Sequence, residues 1–112
     1  MKISEMSTEQ GFDVMEKLVP YVNEIVTDEE VAKIAAEFRE KKNTVESMNR
    51  LFPLMMQSHR EALYGMVSAV SGKCIEEVRK QPLGKTKEGF QEAMSDDVFD
   101  FFILFLRMAV RG

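Results

Sequence analysis

The chain has 112 residues, enough for one ordinary domain and too few for two independent cores. With 45% hydrophobic and 30% charged residues it has the balance of a globular chain rather than a disordered one. Nineteen acidic residues against fifteen basic give a formal charge of −4, which repels phosphate and argues against a nucleic-acid duplex as the main partner.

Ser7 with Gln10 fits a capping box at the start of a first helix. Behind it Phe12, Met15, Leu18, Val19, Val22, Ile25 and Val26 recur at three- and four-residue intervals and predict one apolar stripe. Pro20 falls inside this stripe, so the helix is expected either to kink there or to break into two. Thr27 with Glu30 reads as the capping box of a second helix, whose stripe is Val31, Ile34, Ala35 and Phe38. Arg39, Lys41 and Lys42 suit its carboxyl end, and Asn43 is its predicted stop.

The longest predicted element begins near Thr44 or at Pro53 and runs to Gly72. Met48, Leu51, Phe52, Met55, Ala62, Leu63, Met66 and Val70 lie on one arc of its helical wheel. Pro53 removes the hydrogen bond to the Asn49 carbonyl, so a kink or a fresh start is expected there, and Gly72 is a natural left-handed terminator. A short helix over Ile75–Lys80 follows, ended by Pro82. The segment Gln81–Lys85 carries both Pro and Gly and reads as a loop. A helix from about Thr86 to Met94 and another capped by Ser95 complete the chain. No segment alternates apolar and polar residues between turn signals, so no strand is predicted. The expected fold is all-α, a compact single-domain bundle of about five to six helices with kinks or breaks near Pro20 and Pro53. Residues 86–112 are a candidate semi-independent helical hairpin within it.

On the last helix Val98, Phe101, Phe102, Phe105, Met108 and Ala109 share one face, and Phe99, Ile103, Leu106 and Val110 make a second stripe. Either the helix is central and buried on both sides, or one stripe packs on the core while the other meets a partner or another copy. Burying four such side chains yields roughly 6–12 kcal/mol gross. Association costs roughly 4–15 kcal/mol, so a stable assembly needs further surface. Met55 and Met56 are adjacent, so one should pack inward and the other face outward. Phe99, Ile103, Leu106, Val110 and Met56 are the candidate protein-interaction residues.

Little in the sequence points to catalysis. His59 is the one histidine and Cys74 the one cysteine. Distant in sequence, they form no recognisable metal site or nucleophile relay, and His59 is expected to be satisfied at the core boundary. Ser71, Gly72 and Lys73 lack the upstream glycine of a phosphate-binding loop. Asp96 and Asp97 suit a helix start. The cluster Lys73, Arg79, Lys80, Lys85 and Lys87 sits among acidic neighbours and reads as solvated surface. No enzyme activity and no cofactor or metal are expected. The segment MKISEMSTEQ has no secretory h-region, and the longest apolar run, Phe101–Leu106, is far below the ~20 residues that span a bilayer. A cytosolic protein with no membrane partner is expected.

Residues 1–25, MKISEMSTEQGFDVMEKLVPYVNEI, resemble the start of small tail assembly chaperones from siphovirus-type bacteriophages of Gram-positive hosts. Residues 51–81, LFPLMMQSHREALYGMVSAVSGKCIEEVRKQ, resemble the same family, with a Pro-interrupted apolar run, His-Arg-Glu, and Ser-Gly-Lys before a short acidic helix. The likeness covers roughly residues 1–82. It implies a helical, non-enzymatic protein of the infected cell's cytoplasm, absent from the mature virion. Such a protein binds the tape-measure protein and tail-tube subunits; self-association is expected separately, from the surplus apolar helix surface. The alternative is a small helical dimeric adaptor or regulator, which a gel shift at physiological salt would favour.

Overall fold

The computed structural model of the chain describes residues 2–41 and 44–98, apart from the side chains of residues 38–41, 44 and 45. The described chain is all-α. A 3-10 turn over Ile3–Glu5 precedes α1 (Thr8–Val26), α2 (Glu29–Lys41), α3 (Thr44–Ser58), α4 (Arg60–Ser71), α5 (Ile75–Lys80) and α6 (Leu83–Met94). No strand occurs among the described residues.

Ser7 caps α1 as expected, its Oγ accepting the Gln10 amide at 3.2 Å. The helix passes through Pro20 without breaking. Its buried face is Gly11, Val14, Leu18, Val22, Ile25 and Val26, set round from the predicted stripe. Phe12 is 66% exposed, while Met15 and Val19 are only half-buried. The reason lies in the amino-terminal turn: buried Ile3 lies over Gly11, and this fixes which face of the first turns points inward.

The α1–α2 junction is shifted by one residue from the predicted capping box. Thr27 closes α1, its hydroxyl donating to the Glu24 carbonyl at 2.7 Å. Asp28 opens α2 instead, with Oδ1 accepting the Glu30 amide at 3.0 Å and the Val31 amide at 3.3 Å. A carboxylate is as good a cap as a hydroxyl and carries charge toward the positive helix end. Val31, Ile34 and Ala35 are buried as expected, joined by Ala32. The Phe38 side chain, the basic run at Arg39 to Lys42 and the predicted stop at Asn43 lie outside the description.

The long predicted helix is two helices, and the break is not at a proline. α3 starts at Thr44 and continues through Pro53. The chain leaves helical geometry at His59, with φ −138° and ψ 43°, and α4 starts at Arg60. The Arg60 side chain then donates through Nε to the Met56 carbonyl at 3.3 Å, the acceptor its own amide would have used in an unbroken helix. Gly72 ends α4 as expected, in the left-handed region at φ +77°.

α5 has the predicted span, and the Cys74 amide donates to Glu77 Oε1 at 3.3 Å in a capping box. α6 starts at Leu83 rather than near Thr86, so three of the five residues of the predicted loop are helix. Pro82 has φ −55°, and its carbonyl accepts the Lys85 amide at 3.0 Å. The proline thus launches a helix where it was expected to be part of a loop. Ser95, the predicted cap of the next helix, belongs to the end of α6 and donates to the Gln91 carbonyl at 2.8 Å. Asp96 takes the capping role. Its Oδ1 accepts the Val98 amide at 2.9 Å, and its Oδ2 accepts the amide of Ser4, from the other end of the chain, at 3.0 Å.

Among the described residues α1 packs on α4, α2 on α3, and α4 also on α5 and α6, so α4 is the central element. Leu18, Val22, Met48, Leu51, Met55, Met66, Val67, Val78 and Phe90 are fully buried. α1 and α4 approach so closely that Gly65 has no room for a side chain: the Tyr21 ring lies where its Cβ would be. Met48, Met55, Met66 and Met94 fill the core, consistent with the soft, adaptable thioether.

Candidate interaction surfaces

Three surface features stand out in the described molecule: an apolar groove, an acidic ridge with a phenylalanine at its crest, and a histidine held by two carboxylates.

The groove lies between α3 and the α5–α6 corner. It is made of two adjoining hollows of about 230 and 360 Å³ that share Phe52 and Leu83. Phe52 has one face on the core, its ring centroid 6.2 Å from that of Phe90, and the hollows open from it. Met56 lies one turn further along α3 and is 39% exposed. Its neighbour Met55 is fully buried, the inward and outward split expected of adjacent residues. Leu83 is 69% exposed. It sits three and seven residues before buried Thr86 and Phe90, so the buried face of α6 continues one turn past the edge of the bundle.

The charged groups of the groove are basic. Arg60, Arg79 and Lys87 line it, and no carboxylate does. Arg79 stacks on the Tyr64 ring at 5.7 Å, which fixes its guanidinium at the edge. Among the described residues none of these three cations forms a salt bridge with a carboxylate. Lys73, by contrast, points elsewhere and donates to Gln81 Oε1 at 2.9 Å. The basic cluster read from sequence is therefore divided: Arg79 and Lys87 serve the groove, and Lys80 and Lys85 are exposed beside it.

The ridge is one flank of α1, where Met15 and Val19 also pack against the core. Phe12, Met15 and Val19 follow one another at helical spacing, and Glu9, Asp13 and Glu16 around Phe12 are all exposed. Exposed large apolar residues are unremarkable singly, but here one stands within a ring of like charge.

His59 is only 12% exposed at its side chain. Nδ1 lies 2.8 Å from Glu24 Oε2 and Nε2 lies 2.7 Å from Asp28 Oδ2. Ionised carboxylates only accept, so both ring nitrogens must donate, and the imidazolium is the form that satisfies this arrangement. Burial opposes its protonation, but hydrogen bonds and charge from Asp28 and Glu24 outweigh it and raise the His59 pKa above its ordinary value. The His59 hydrogen bond, aided by the Val31 and Glu30 amides and opposed by burial, holds the Asp28 carboxyl below the usual range. The two nitrogens face opposite ways onto separate carboxylates. Among the described residues no group of three or more His, Cys, Asp and Glu side chains is arranged to hold a metal ion.

Of the candidate interaction residues, Met56 lines the groove, while Phe99, Ile103, Leu106 and Val110 lie outside the described residues. Val98, placed from sequence on one face with Phe101 and Phe102, is 36% exposed. Sequence reading missed Leu83, assigned to a loop, and the outer role of Phe52 and Phe12, both assigned to core stripes. The Leu83, Thr86, Phe90 spacing was the signal available for the first. No helix among the described residues is long and apolar enough to cross a membrane. No protein-family model, curated protein or solved structure matches the chain.

Proposed function

We propose that this chain is a non-enzymatic binding protein that keeps apolar helical surface of other polypeptides in solution, acting as a phage tail assembly chaperone. Its partners in this reading are the tape-measure protein and tail-tube subunits during long-tail morphogenesis, together with further copies of itself. It would work in the cytoplasm of the infected host and be left out of the finished virion. The observation that carries the reading is the groove around Phe52 and Leu83: a small acidic chain leaves a concave apolar surface open and rims it with cations. Grooves between helices take amphipathic helices, the kind of surface a long helical tape-measure protein presents. The resemblance of residues 1–82 to tail assembly chaperones supports the same class of partner.

Co-expression tests it. A tape-measure protein from a long-tailed phage is expected to move from the insoluble to the soluble fraction when this chain is present, and to co-purify with it. An insoluble fraction that is the same with and without the chain sinks the reading.

A further inference from the structure

We infer that the groove of one copy receives the α1 ridge of another, with Phe12 entering the hollow between Phe52 and Leu83, so that copies join head to tail. This deepens the self-association in the function proposed above and rests on that reading only in treating the groove as a binding surface. The two surfaces are complementary in shape and charge. The ridge offers one bulky ring, 66% exposed, backed by half-buried Met15 and Val19. The groove offers concave apolar space beside Leu83, 69% exposed. Around the ring stand Glu9, Asp13 and Glu16; around the hollow stand Arg60, Arg79 and Lys87. A chain of net charge −4 repels its own copies at a distance, so association needs a local patch of opposite sign, and the groove edge supplies it.

No residue of α1 lines the groove, so a molecule's ridge and its groove are different surfaces. A contact between two different surfaces is heterologous. Each added copy leaves one ridge and one groove unfilled, and the assembly grows until it closes into a ring or continues as a filament. A two-fold dimer would instead use one self-complementary patch.

Complementation between variants tests the geometry. Phe12→Asp removes the ring and keeps the groove; Leu83→Asp fouls the groove and keeps the ridge. Both residues are exposed, and unchanged helical circular dichroism and Tm confirm that each variant folds. In light scattering coupled to size exclusion, the wild-type chain is expected to form species larger than a dimer. Each variant alone is expected to associate about tenfold or more weakly. Mixed, the two are expected to give a heterodimer that grows no further, because the single remaining contact joins one intact ridge to one intact groove.

As a second arm, Glu9→Lys with Glu16→Lys should weaken assembly, and adding Arg60→Glu with Lys87→Glu should restore it. The proposal is overturned by a wild-type chain that stays monomeric, by either Asp variant assembling as the wild type does, or by a mixture that stays monomeric. An unchanged Leu83→Asp would mean that another occupant, such as the chain's own residues after Val98, fills the groove. These readouts are independent of tape-measure solubility. A monomeric wild type that still solubilises the tape-measure protein overturns this inference alone, and a head-to-tail assembly that does not solubilise it overturns the functional reading alone.

Discussion

His59 illustrates how one side chain can set a backbone. Its two nitrogens reach Glu24 near the end of α1 and Asp28 at the start of α2, and the main chain leaves helical geometry at that residue. Asp28 serves twice, capping α2 with one oxygen and holding His59 with the other. The pH dependence follows from the two shifts. Because the folded pKa of His59 is raised, its contribution is complete below the ordinary value of 6.5 and is lost as pH rises through the raised value. Because that of Asp28 is lowered, its contribution is complete above the ordinary 3.8 and is lost as pH falls through the lowered value. Both act in full between those two limits. Charged hydrogen bonds of this kind contribute roughly 1–3 kcal/mol. The Tm should therefore fall by several degrees as pH rises from the ordinary 6.5 through the raised value, at roughly 4 °C per kcal/mol. His59→Asn should flatten this alkaline limb, and a variant that keeps the wild-type slope would show that the imidazolium is not its source.

Gly65 is the residue-scale counterpart in the core. Gly65→Ala would push the Tyr21 ring off α4, with a destabilisation of roughly 1–3 kcal/mol expected for overpacking. In a Tyr21→Ala background the same substitution should cost much less, since the obstacle is gone. Chemical denaturation of the four proteins of this cycle measures the difference. Additive costs would mean that the two residues do not share the space.

At the scale of elements, the helices were legible because their apolar spacing and caps agree. Ser7, Gly72 and the span of α5 were read correctly since each rests on a local rule. The errors came where a contact distant in sequence overrode such a rule. Each of two prolines was expected to kink or break its helix, and neither breaks it, whereas a histidine with no intrinsic breaking tendency does, because its partners lie 31 and 35 residues away. The caps at Thr27 and Ser95 slipped by one residue to Asp28 and Asp96, in each case from a hydroxyl to a carboxylate with a second distant ligand. Phe12 was placed inside because it fits a helical stripe, but α1 has more apolar residues than one buried face uses. Which of them are left over depends on Ile3 lying over Gly11, and periodicity does not encode that contact. The groove was hidden for the same reason. It exists only when α6 begins at Leu83 and brings that residue opposite Phe52.

For the whole molecule, the formal charge conceals an uneven distribution, with acid around Phe12 and base around the groove. The second consequence of long-range contact is at Asp96, whose carboxylate spans 92 residues to reach Ser4 while also holding Val98. One buried side chain thus latches the first turn to the stretch that follows α6. In deuterium exchange the Ser4 and Val98 amides should be protected to a similar degree and open together, although they lie near opposite ends of the sequence. Asp96→Ala should release both at once, on a timescale faster than the amides of α4. Independent release of the two amides would mean that the carboxylate is not what joins them.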